Sequence, residues 1–181
     1  MKKRALLIID MLNDFVLRGA ALEVPDTRIV APRIRRRLVH ARRSGVPVFY
    51  ICDSHREDDP EFSRMNWPPH AVRGSRGAMV IDELAPQPGD RIIAKTAYSG
   101  FYRTELEDVL RSQGVEEMIL TGCVTNICVL YTAADAVMRG FGVVVPADSV
   151  AAISREGHEF ALREMEQVLG VRVERQGFFR T

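Results

Sequence analysis

The sequence predicts an α/β fold: a three-layer α/β/α sandwich in which helices cover both faces of a six-stranded, mainly parallel sheet. Short apolar runs alternate along the chain with amphipathic helical stretches, which is the pattern that such sheets produce. A chain of 181 residues is long enough to bury a full core without disulfides or metal ions. We therefore expect a single domain over residues 1–181.

Six apolar runs are candidates for the strands, because each is short and is bounded by polar or turn-forming residues. They cover residues 5–10, 46–51, 91–94, 117–121, 142–145 and 171–174. The first run follows a basic start, as a secretion signal does, but Asp10 interrupts it well before the length that such a signal needs. We interpret it as a buried strand.

Helices are predicted between the strands from helical spacing and from recognisable ends. Thr104 and Glu107 match a capping box, and Gly114 supplies a stop for that helix. Ser154 is the expected cap of a later helix that ends at Gly170. The helix between these two has an apolar face predicted to lie in the core, made of Ile127, Leu130, Tyr131, Ala134, Val137 and Met138. The later helix has a similar predicted face of Phe160, Ala161, Glu164, Met165, Val168 and Leu169.

The charge balance indicates a small-molecule partner. Lys and Arg total 25 and Asp and Glu total 24, a net charge of +1, so no net field attracts nucleic acid or a membrane surface. No apolar run approaches the roughly 20 residues that span a bilayer. The 3 cysteines cannot all pair as disulfides, which fits a cytoplasmic protein. The arginines between Arg33 and Arg43 are interpreted as the solvated face of a helix.

Several polar features coincide with the carboxyl ends of predicted strands. Asp10, Asp53 and Lys95 each end or follow a strand, and the turn at 122–128 follows a fourth. In an open parallel sheet these ends meet at one rim, where ligands bind. The polar segment 52–89 has little periodicity, and loops of that length in compact domains usually carry function. The sequence therefore predicts a ligand site at this rim.

Cys128 follows an apolar strand and a glycine turn, at the predicted start of a helix. A helix N-terminus carries partial positive charge and unpaired N–H groups, which favour a thiolate and can bind an oxyanion beside it. The position suits a nucleophile. A buried cysteine is also a common core residue, so this segment alone leaves both interpretations open.

Five groups of residues, spread along nearly the whole chain, are similar to the motifs of one family. They are Leu7-Ile8-Ile9-Asp10 with Asn13-Asp14-Phe15, Asp53-Ser54-His55, Trp67-Pro68-Pro69-His70, Lys95 with Tyr98-Ser99-Gly100-Phe101, and Gly122-Cys123-Val124-Thr125-Asn126-Ile127-Cys128-Val129. On these motifs the chain resembles the isochorismatase-like cysteine hydrolases, and among them the nicotinamidases and pyrazinamidases. The resemblance implies their Rossmann-like α/β/α fold and a homo-oligomer, a dimer or a tetramer.

The resemblance implies a catalytic triad of Asp10, Lys95 and Cys128, with Cys128 as the nucleophile and Cys123 as a packing residue. The chemistry of these side chains agrees, because a thiol with a pKa of about 8.5 is mostly protonated near neutral pH and needs a base and a stabilising cation to attack an amide. Asp10 can accept the proton and Lys95 can hold the charge. The structural alternatives are an aspartate that caps a turn and a lysine that reaches water from the sheet.

The resemblance also implies a non-proline cis peptide just ahead of the nucleophile, expected here between Val124 and Thr125. Such a peptide would aim the N–H of Thr125 alongside that of Cys128. We therefore expect these two N–H groups to form the oxyanion hole, which stabilises the negative oxygen that develops during attack.

Asp53, His55 and His70 form a second group. An Asp-x-His pair places both side chains on one side of an extended chain, and two imidazoles with a carboxylate suit a divalent zinc, iron or manganese ion. In nicotinamidases, which the chain resembles, this motif binds a metal that contacts the pyridine nitrogen of the substrate. Glu61 or water is a candidate to complete the shell, outside this set of three ligands. The alternative is that Asp53 and His55 make loop hydrogen bonds and that His70 lies on the surface.

Phe15, Trp67 and Tyr98 are candidates for contact with a flat substrate, because aromatic ligands favour pockets with aromatic walls. Their alternative role is packing of the core or of a lid. His40 and His158 fall in helical stretches away from the motifs, and we expect both on the surface.

The predicted function is a cysteine amidohydrolase that releases ammonia from nicotinamide, a small-molecule amide, through a thioester on Cys128. A first alternative is a metal-free relative that acts on a carbamoyl, ureido or vinyl ether substrate. A second is a flavodoxin-like redox or binding module in which Cys123 and Cys128 form a reversible disulfide, although their spacing lacks the Cys-x-x-Cys signature.

Overall fold

Seven parallel strands form one sheet in the computed structural model, which describes residues 2–175. Their bounds are β1 Arg4–Ile9, β2 Val48–Asp53, β3 Arg91–Lys95, β4 Glu117–Cys123, β5 Gly142–Pro146, β6 Val150–Ala151 and β7 Arg172–Glu174. The predicted α/β fold is confirmed, and all six predicted strands are present with small shifts at their ends. The prediction lacks β6, because two residues are too few to show a hydrophobic period.

The strand order is β3-β2-β1-β4-β5-β7, with β6 paired to the carboxyl half of β4. The central strand β1 lies between β2 and β4, so the order of strand addition reverses there. The register aligns Ile9 of β1 with Ile51 of β2 and Gly122 of β4. The residues that follow these positions therefore meet at one rim, which is where open parallel sheets bind ligands.

Helices cover both faces of the sheet. Those on one face are α1 Asn13–Val16 and α2 Thr27–Arg43; those on the other are α4 Leu106–Ser112, α5 Leu130–Met138 and α6 Arg155–Gln167. The short helix α3, Pro60–Met65, lies in the long segment between β2 and β3. Alternate residues of a strand point to opposite faces, so Leu6 and Ile8 pack towards α2 while Leu7 and Ile9 pack towards α4, α5 and α6.

The helix ends confirm one predicted cap in full and another in part. The hydroxyl of Ser154 accepts a hydrogen bond from the N–H of Gly157 at 3.1 Å, as expected of an N-cap. The capping box at Thr104 is present only in part: the Thr104 hydroxyl accepts a hydrogen bond from the N–H of Leu106 at 3.3 Å, whereas the Glu107 carboxylate accepts from Arg111 and Arg139. The Thr104 hydroxyl also donates to the carbonyl oxygen of Gly100 at 2.5 Å, which ties the preceding turn together.

The predicted core face of α5 is confirmed at Ile127, Leu130 and Val137, which pack against the core, and is wrong at Tyr131 and Met138. Tyr131 is 50% exposed and Met138 is 73% exposed, whereas Thr132, Ala133 and Ala136 are buried. Tyr131 instead stacks on the ring of Tyr98, with the ring centroids 5.6 Å apart. In α6 the predicted face is wrong at Phe160 and Val168, which are also exposed.

The arginines of α2 lie along its outer side, as expected of a solvated face, with Arg35, Arg36 and Arg43 exposed. Arg37 and Arg42 are exceptions. The guanidinium of Arg37 pairs with Asp148 at 3.0 Å, and that of Arg42 donates to the hydroxyl of Tyr50 at 3.1 Å and pairs with Asp90 at 2.5 Å. Over residues 2–175, every helix falls short of the length and apolar character that a bilayer crossing requires.

Gly122 allows β1 and β4 to approach each other closely at the rim. Its φ of +108° is a conformation that other residues rarely adopt, and a Cβ atom built there would lie 1.9 Å from the carbonyl oxygen of Ile9. Because that oxygen belongs to the backbone of the central strand, neither atom can move aside without displacing the rim.

We expect Gly122→Ala to lower the free energy of unfolding by more than about 3 kcal/mol, since it adds a steric clash to an unfavourable φ. Gly89→Ala is the matched control, because Gly89 has a φ of +100° and nothing lies within 4 Å of its Cβ position. The control should lose only about 1 to 2 kcal/mol. Urea unfolding followed by circular dichroism measures both, and equal losses would contradict the role assigned to the close approach.

Candidate active site

Asp10 begins the site, directly after β1. Its φ of +51° lies in the left-handed region, and its N–H donates to the carbonyl oxygen of Ile51 at 2.9 Å. Oδ1 accepts a hydrogen bond from the N–H of Asp53 at 2.8 Å. A non-glycine residue in this conformation is uncommon and is often found at functional sites. The two hydrogen bonds fix the buried carboxylate against the end of β2.

Lys95, the last residue of β3, extends its side chain into the rim instead of to water. Its Nζ lies 2.8 Å from Oδ2 of Asp10 and 3.5 Å from Sγ of Cys128, and it also makes a short contact with Oδ1 of Asp53. The side chain is fully buried. The alternative in which Lys95 reaches water from the sheet is therefore wrong. The ammonium is surrounded by three groups that can carry negative charge.

Cys128 lies inside the π-helical turn, not at the first residue of an α-helix. Its sulfur is buried at the floor of the rim, and Sγ lies within 4.8 Å of carboxylate oxygens of both Asp10 and Asp53. π turns are rare and frequently occur at functional sites. The structure thus brings together Asp10, Lys95 and Cys128 from three separate regions of the chain.

The cis peptide lies one residue earlier than predicted, between Cys123 and Val124, so the prediction for Val124 and Thr125 is wrong. The role of the Thr125 N–H as an oxyanion donor stays a prediction. The Thr125 side chain is fully buried, and its hydroxyl lies 3.0 Å from Nδ1 of His158.

His158 is a neighbour of the site that the sequence analysis missed. Its ring is partly buried and reaches from α6 to the turn that carries Cys128, although the prediction placed it on the surface away from the motifs. No local pattern could reveal this contact, because it depends on how α6 packs against the sheet.

Burial and neighbouring charges raise the pKa values of Asp10, Cys128 and Lys95. Burial, reinforced by the charge of Asp53, raises the pKa of Asp10 to about 6. Burial also raises the pKa of Cys128 well above its usual range, against the opposing effect of Lys95. Burial alone would lower the pKa of Lys95, but the two neighbouring carboxylates hold it well above its ordinary value. The resting cluster is therefore an ammonium, a neutral thiol and a carboxylate near neutral pH.

Asp53, His55 and His70 form the second group, and all three are buried. Each offers one ligand atom, and these atoms lie within 4.8 Å of one another. Nδ1 of His70 donates to the carbonyl oxygen of Pro68 at 2.9 Å, and Nδ1 of His55 donates to Oδ2 of Asp59 at 3.1 Å. When each ring is neutral, these hydrogen bonds favour the tautomer in which Nε2 can bind a ligand.

The charges of this group also fit a cation. Although burial opposes ionisation, Lys95 and His55 hold the pKa of Asp53 below its usual range. Burial alone would lower the pKa of His55, but Asp53 and Asp59 raise it to about 9. An acidic pocket that favours a proton on His55 also favours a divalent ion, which would compete with that proton. The buried donor set of two imidazoles and a carboxylate fits a first-row divalent metal.

Glu61 lies beside these residues. Its carboxylate is buried and comes within 3.9 Å of Nε2 of His55. Oε1 accepts no hydrogen bond from the part of the chain that is described, residues 2–175. With His55 and Asp59 it makes an overlapping group of possible metal ligands, so its position agrees with the suggestion that it completes a metal shell.

A cavity of about 20 Å³ connects the two groups, roughly the space that one water needs. Phe15, Trp67 and Tyr98 all line it, as do Leu22 and Ile153, which the prediction did not include. Trp67 and Tyr98 are partly exposed and Ile153 is 57% exposed. Entry of a substrate therefore requires these outer side chains to move.

Cys123 is fully buried and donates a hydrogen bond from Sγ to the carbonyl oxygen of Asp10 at 3.2 Å. It lines the cavity together with Cys128, but all three cysteines are free thiols. These contacts fit the packing role that the resemblance implies for Cys123.

Comparison with known proteins agrees with this geometry. The model of the Isochorismatase domain matches residues 4–176. Nicotinamidase PncA from Bacillus subtilis superposes with a TM-score of 0.89 and 34% identity, covering 94% of this chain and 98% of that chain. N-carbamoylsarcosine amidase from Thermoplasma acidophilum superposes with a TM-score of 0.87 and 37% identity, covering 100% of both chains. Pyrazinamidase of Pyrococcus horikoshii, in complex with zinc, superposes with a TM-score of 0.88 and 32% identity, covering 94% of this chain and 98% of that chain. The chain belongs to the isochorismatase family.

Proposed function

We propose that the protein is a cysteine amidohydrolase that converts nicotinamide and water into nicotinate and ammonia through a thioester on Cys128. One observation carries the proposal: the buried ammonium of Lys95 contacts both the carboxylate of Asp10 and the sulfur of Cys128. A base, a cation and a nucleophile within contact distance are the groups that covalent hydrolysis of an unactivated amide needs.

Asp10 serves as the base in the first half reaction. It takes the thiol proton of Cys128 as the sulfur attacks the amide carbon, and Lys95 stabilises the negative charge that moves from sulfur to the carbonyl oxygen. The protonated Asp10 then donates that proton to the amide nitrogen. The C–N bond breaks, ammonia leaves, and the acyl group remains on sulfur as a thioester.

The same carboxylate serves the second half reaction. Asp10, ionised again, accepts a proton from water as the water oxygen attacks the thioester carbon. The C–S bond breaks, and the sulfur of Cys128 recovers the proton from Asp10 as the carboxylic acid leaves. A pKa of about 6 for Asp10 suits this alternation, because a group with a pKa near the working pH can both accept and donate a proton.

The backbone N–H of Cys128 is the proposed donor to the oxyanion. It belongs to the nucleophile itself, so it lies close to any carbonyl oxygen under attack by the sulfur. Loss of one such donor typically reduces the rate by about a hundredfold or more.

Asp53, His55 and His70 are the proposed holders of a divalent zinc, iron or manganese ion, with Glu61 as a further candidate ligand. Their buried donor atoms and fixed tautomers support this, as does the zinc in the related pyrazinamidase structure. A bound ion would supply a Lewis-acid contact for a ring nitrogen of the substrate. The chain's own contribution is to hold the ring between Phe15 and Trp67 so that its amide meets Cys128.

A carbamoyl substrate is the second candidate. The full-length similarity to an N-carbamoylsarcosine amidase at 37% identity favours it. The aromatic walls of the cavity favour nicotinamide instead, because a flat ring packs well against aromatic side chains.

Ammonia release from nicotinamide, pyrazinamide, ureido acids and carbamoyl amino acids ranks the candidate substrates. With metal-loaded enzyme we expect kcat/KM for nicotinamide to exceed that for any carbamoyl amino acid by at least about tenfold, a difference of about 1.4 kcal/mol in transition-state binding. A preference for carbamoyl compounds that persists in metal-free enzyme would replace nicotinamide by the second candidate.

We expect Cys128→Ala to reduce amide hydrolysis by at least about 10³-fold, since the covalent step loses its nucleophile. Cys123→Ser is the matched control, because serine retains a donor for the carbonyl oxygen of Asp10. It should keep its rate within about tenfold of the native protein. Steady-state ammonia release measures both variants, and equal losses would point to a role for the pair of cysteines together.

Metal analysis by mass spectrometry tests the second group without relying on activity. We expect about one equivalent of divalent metal in the native protein and a loss of affinity of at least about 100-fold in His70→Ala, because a direct ligand is removed and loss of an outer-shell partner alone typically costs about 10- to 100-fold. His40→Ala, on the exposed outer side of α2, should retain the metal. Native protein that binds no zinc, iron or manganese after incubation with these ions would rule out the metal site.

A further inference from the structure

Two polar residues of the first sequence motif, Asn13 and Asp14, take no part in the proposed chemistry. Asp14 lies in α1, yet its carboxylate reaches the segment that begins with His70. We call residues 70–79 the His70 segment. Oδ2 of Asp14 accepts a hydrogen bond from the N–H of Ala71 at 2.9 Å. Asp14 is thereby joined to the residue that directly follows His70.

Ala71 depends on such a contact because its backbone is both strained and buried. Its φ of +45° lies in the left-handed region, which an alanine rarely adopts, and the residue is fully buried. A buried N–H without an acceptor is unfavourable. Loss of the Asp14 oxygen would therefore favour another backbone conformation at Ala71. Because His70 is the adjacent residue, its ring would move as well.

The carboxylate of Asp14 also fits closely against a second point of the His70 segment. A Cβ atom built on Gly77 would lie 2.0 Å from Oδ2 of Asp14 and 2.3 Å from its Cγ, far inside the range of nonbonded contacts. The N–H of Asp14 donates to the carbonyl oxygen of Gly77 at 3.0 Å. The glycine therefore provides the space that the carboxylate occupies between Gly77 and Ala71.

The same backbone aligns the other histidine of the proposed metal group. The carbonyl oxygen of Ala71 accepts from the N–H of His55 at 3.0 Å, and the N–H of Arg73 donates to the carbonyl oxygen of His55 at 2.9 Å. The ring centroids of His55 and His70 lie 5.2 Å apart. Ala71 thus connects three side chains: its N–H binds Asp14, its carbonyl oxygen binds the backbone of His55, and its peptide bond joins it to His70.

We propose that Asp14 is a positioning residue: its carboxylate fixes the backbone at Ala71 and thereby aims the ring of His70 into the proposed metal group. This role rests on the proposed function, in which that group holds a divalent ion. Residues outside the direct ligands affect metal affinity because they orient the ligands. The carbonyl oxygen of Pro68 already binds the ring of His70, so Asp14 contributes the position of the backbone that carries the ring.

Isothermal titration of the metal-free full chain with zinc chloride tests the proposal. We expect Asp14→Ala to weaken zinc binding by about 10- to 100-fold, because the N–H of Ala71 loses its acceptor. Asp14→Asn should stay within about fivefold of the native protein, since its amide oxygen can replace the carboxylate oxygen. Asn13→Ala is the matched control, because it removes a hydrogen bond of 2.8 Å to the carbonyl oxygen of Arg76 in the same segment. It should change zinc affinity by less than about threefold.

Gly77→Ala tests the same contact without removing the carboxylate. Its Cβ would displace the side chain of Asp14, so we expect a loss of zinc affinity of at least about fivefold. In Asp14→Ala the space beside Gly77 is free. The added Gly77→Ala change should then weaken zinc binding by less than about threefold further, since both substitutions remove one contact.

Amide hydrogen exchange and thermal unfolding separate positioning from general stability. In the metal-free protein, Asp14→Ala should speed exchange at Ala71 by at least about tenfold, whereas Asn13→Ala should not. Zinc affinity that falls in proportion to the unfolding temperature in both variants would overturn the proposal. Equal zinc affinity in Asp14→Ala and the native protein would also overturn it while leaving the metal group intact. Native protein that binds no divalent ion would overturn the metal group itself, and the role of Asp14 with it.

Discussion

The buried ammonium of Lys95 is the interaction on which the site depends. It has no access to water, and its charge is offset by Asp10 and Asp53 at contact distance. A buried ion pair that loses one partner leaves an uncompensated charge, which typically costs about 3 to 5 kcal/mol. The three strands that end at this rim must therefore keep their register, because a slip of one residue would turn the lysine to the opposite face of the sheet.

Asp53 joins the chemistry to the proposed metal site. Its Oδ1 contacts Lys95, and its Oδ2 lies 3.7 Å from Nε2 of His55. One carboxylate is thus shared by the group that handles protons and the group that would orient the substrate. A change in the charge around His55 therefore also changes the electrostatic environment of Lys95, because both residues interact with Asp53.

The sequence predicted the parts of the site that follow from strand periodicity. Asp10, Asp53 and Lys95 end short apolar runs, and parallel strands bring such ends together. It failed where the chain departs from a regular period. The turn after β4 is π-helical, so Cys128 lies inside it and not at the first residue of an α-helix. The contact of His158 with the nucleophile turn depends on the packing of a distant helix, which no local pattern encodes.

Helix α6 supplies none of the proposed chemical groups, yet it touches the turn that holds the nucleophile. The side chain of Asn126 packs against Gly157, where a Cβ atom would come within 3.2 Å, and the ring of His158 reaches Thr125. The sulfur of Cys128 is thus supported from behind by a segment that lies well after it in the chain. Evolution or engineering can therefore retune the reactivity of this thiol from α6 while leaving every residue that meets the substrate untouched.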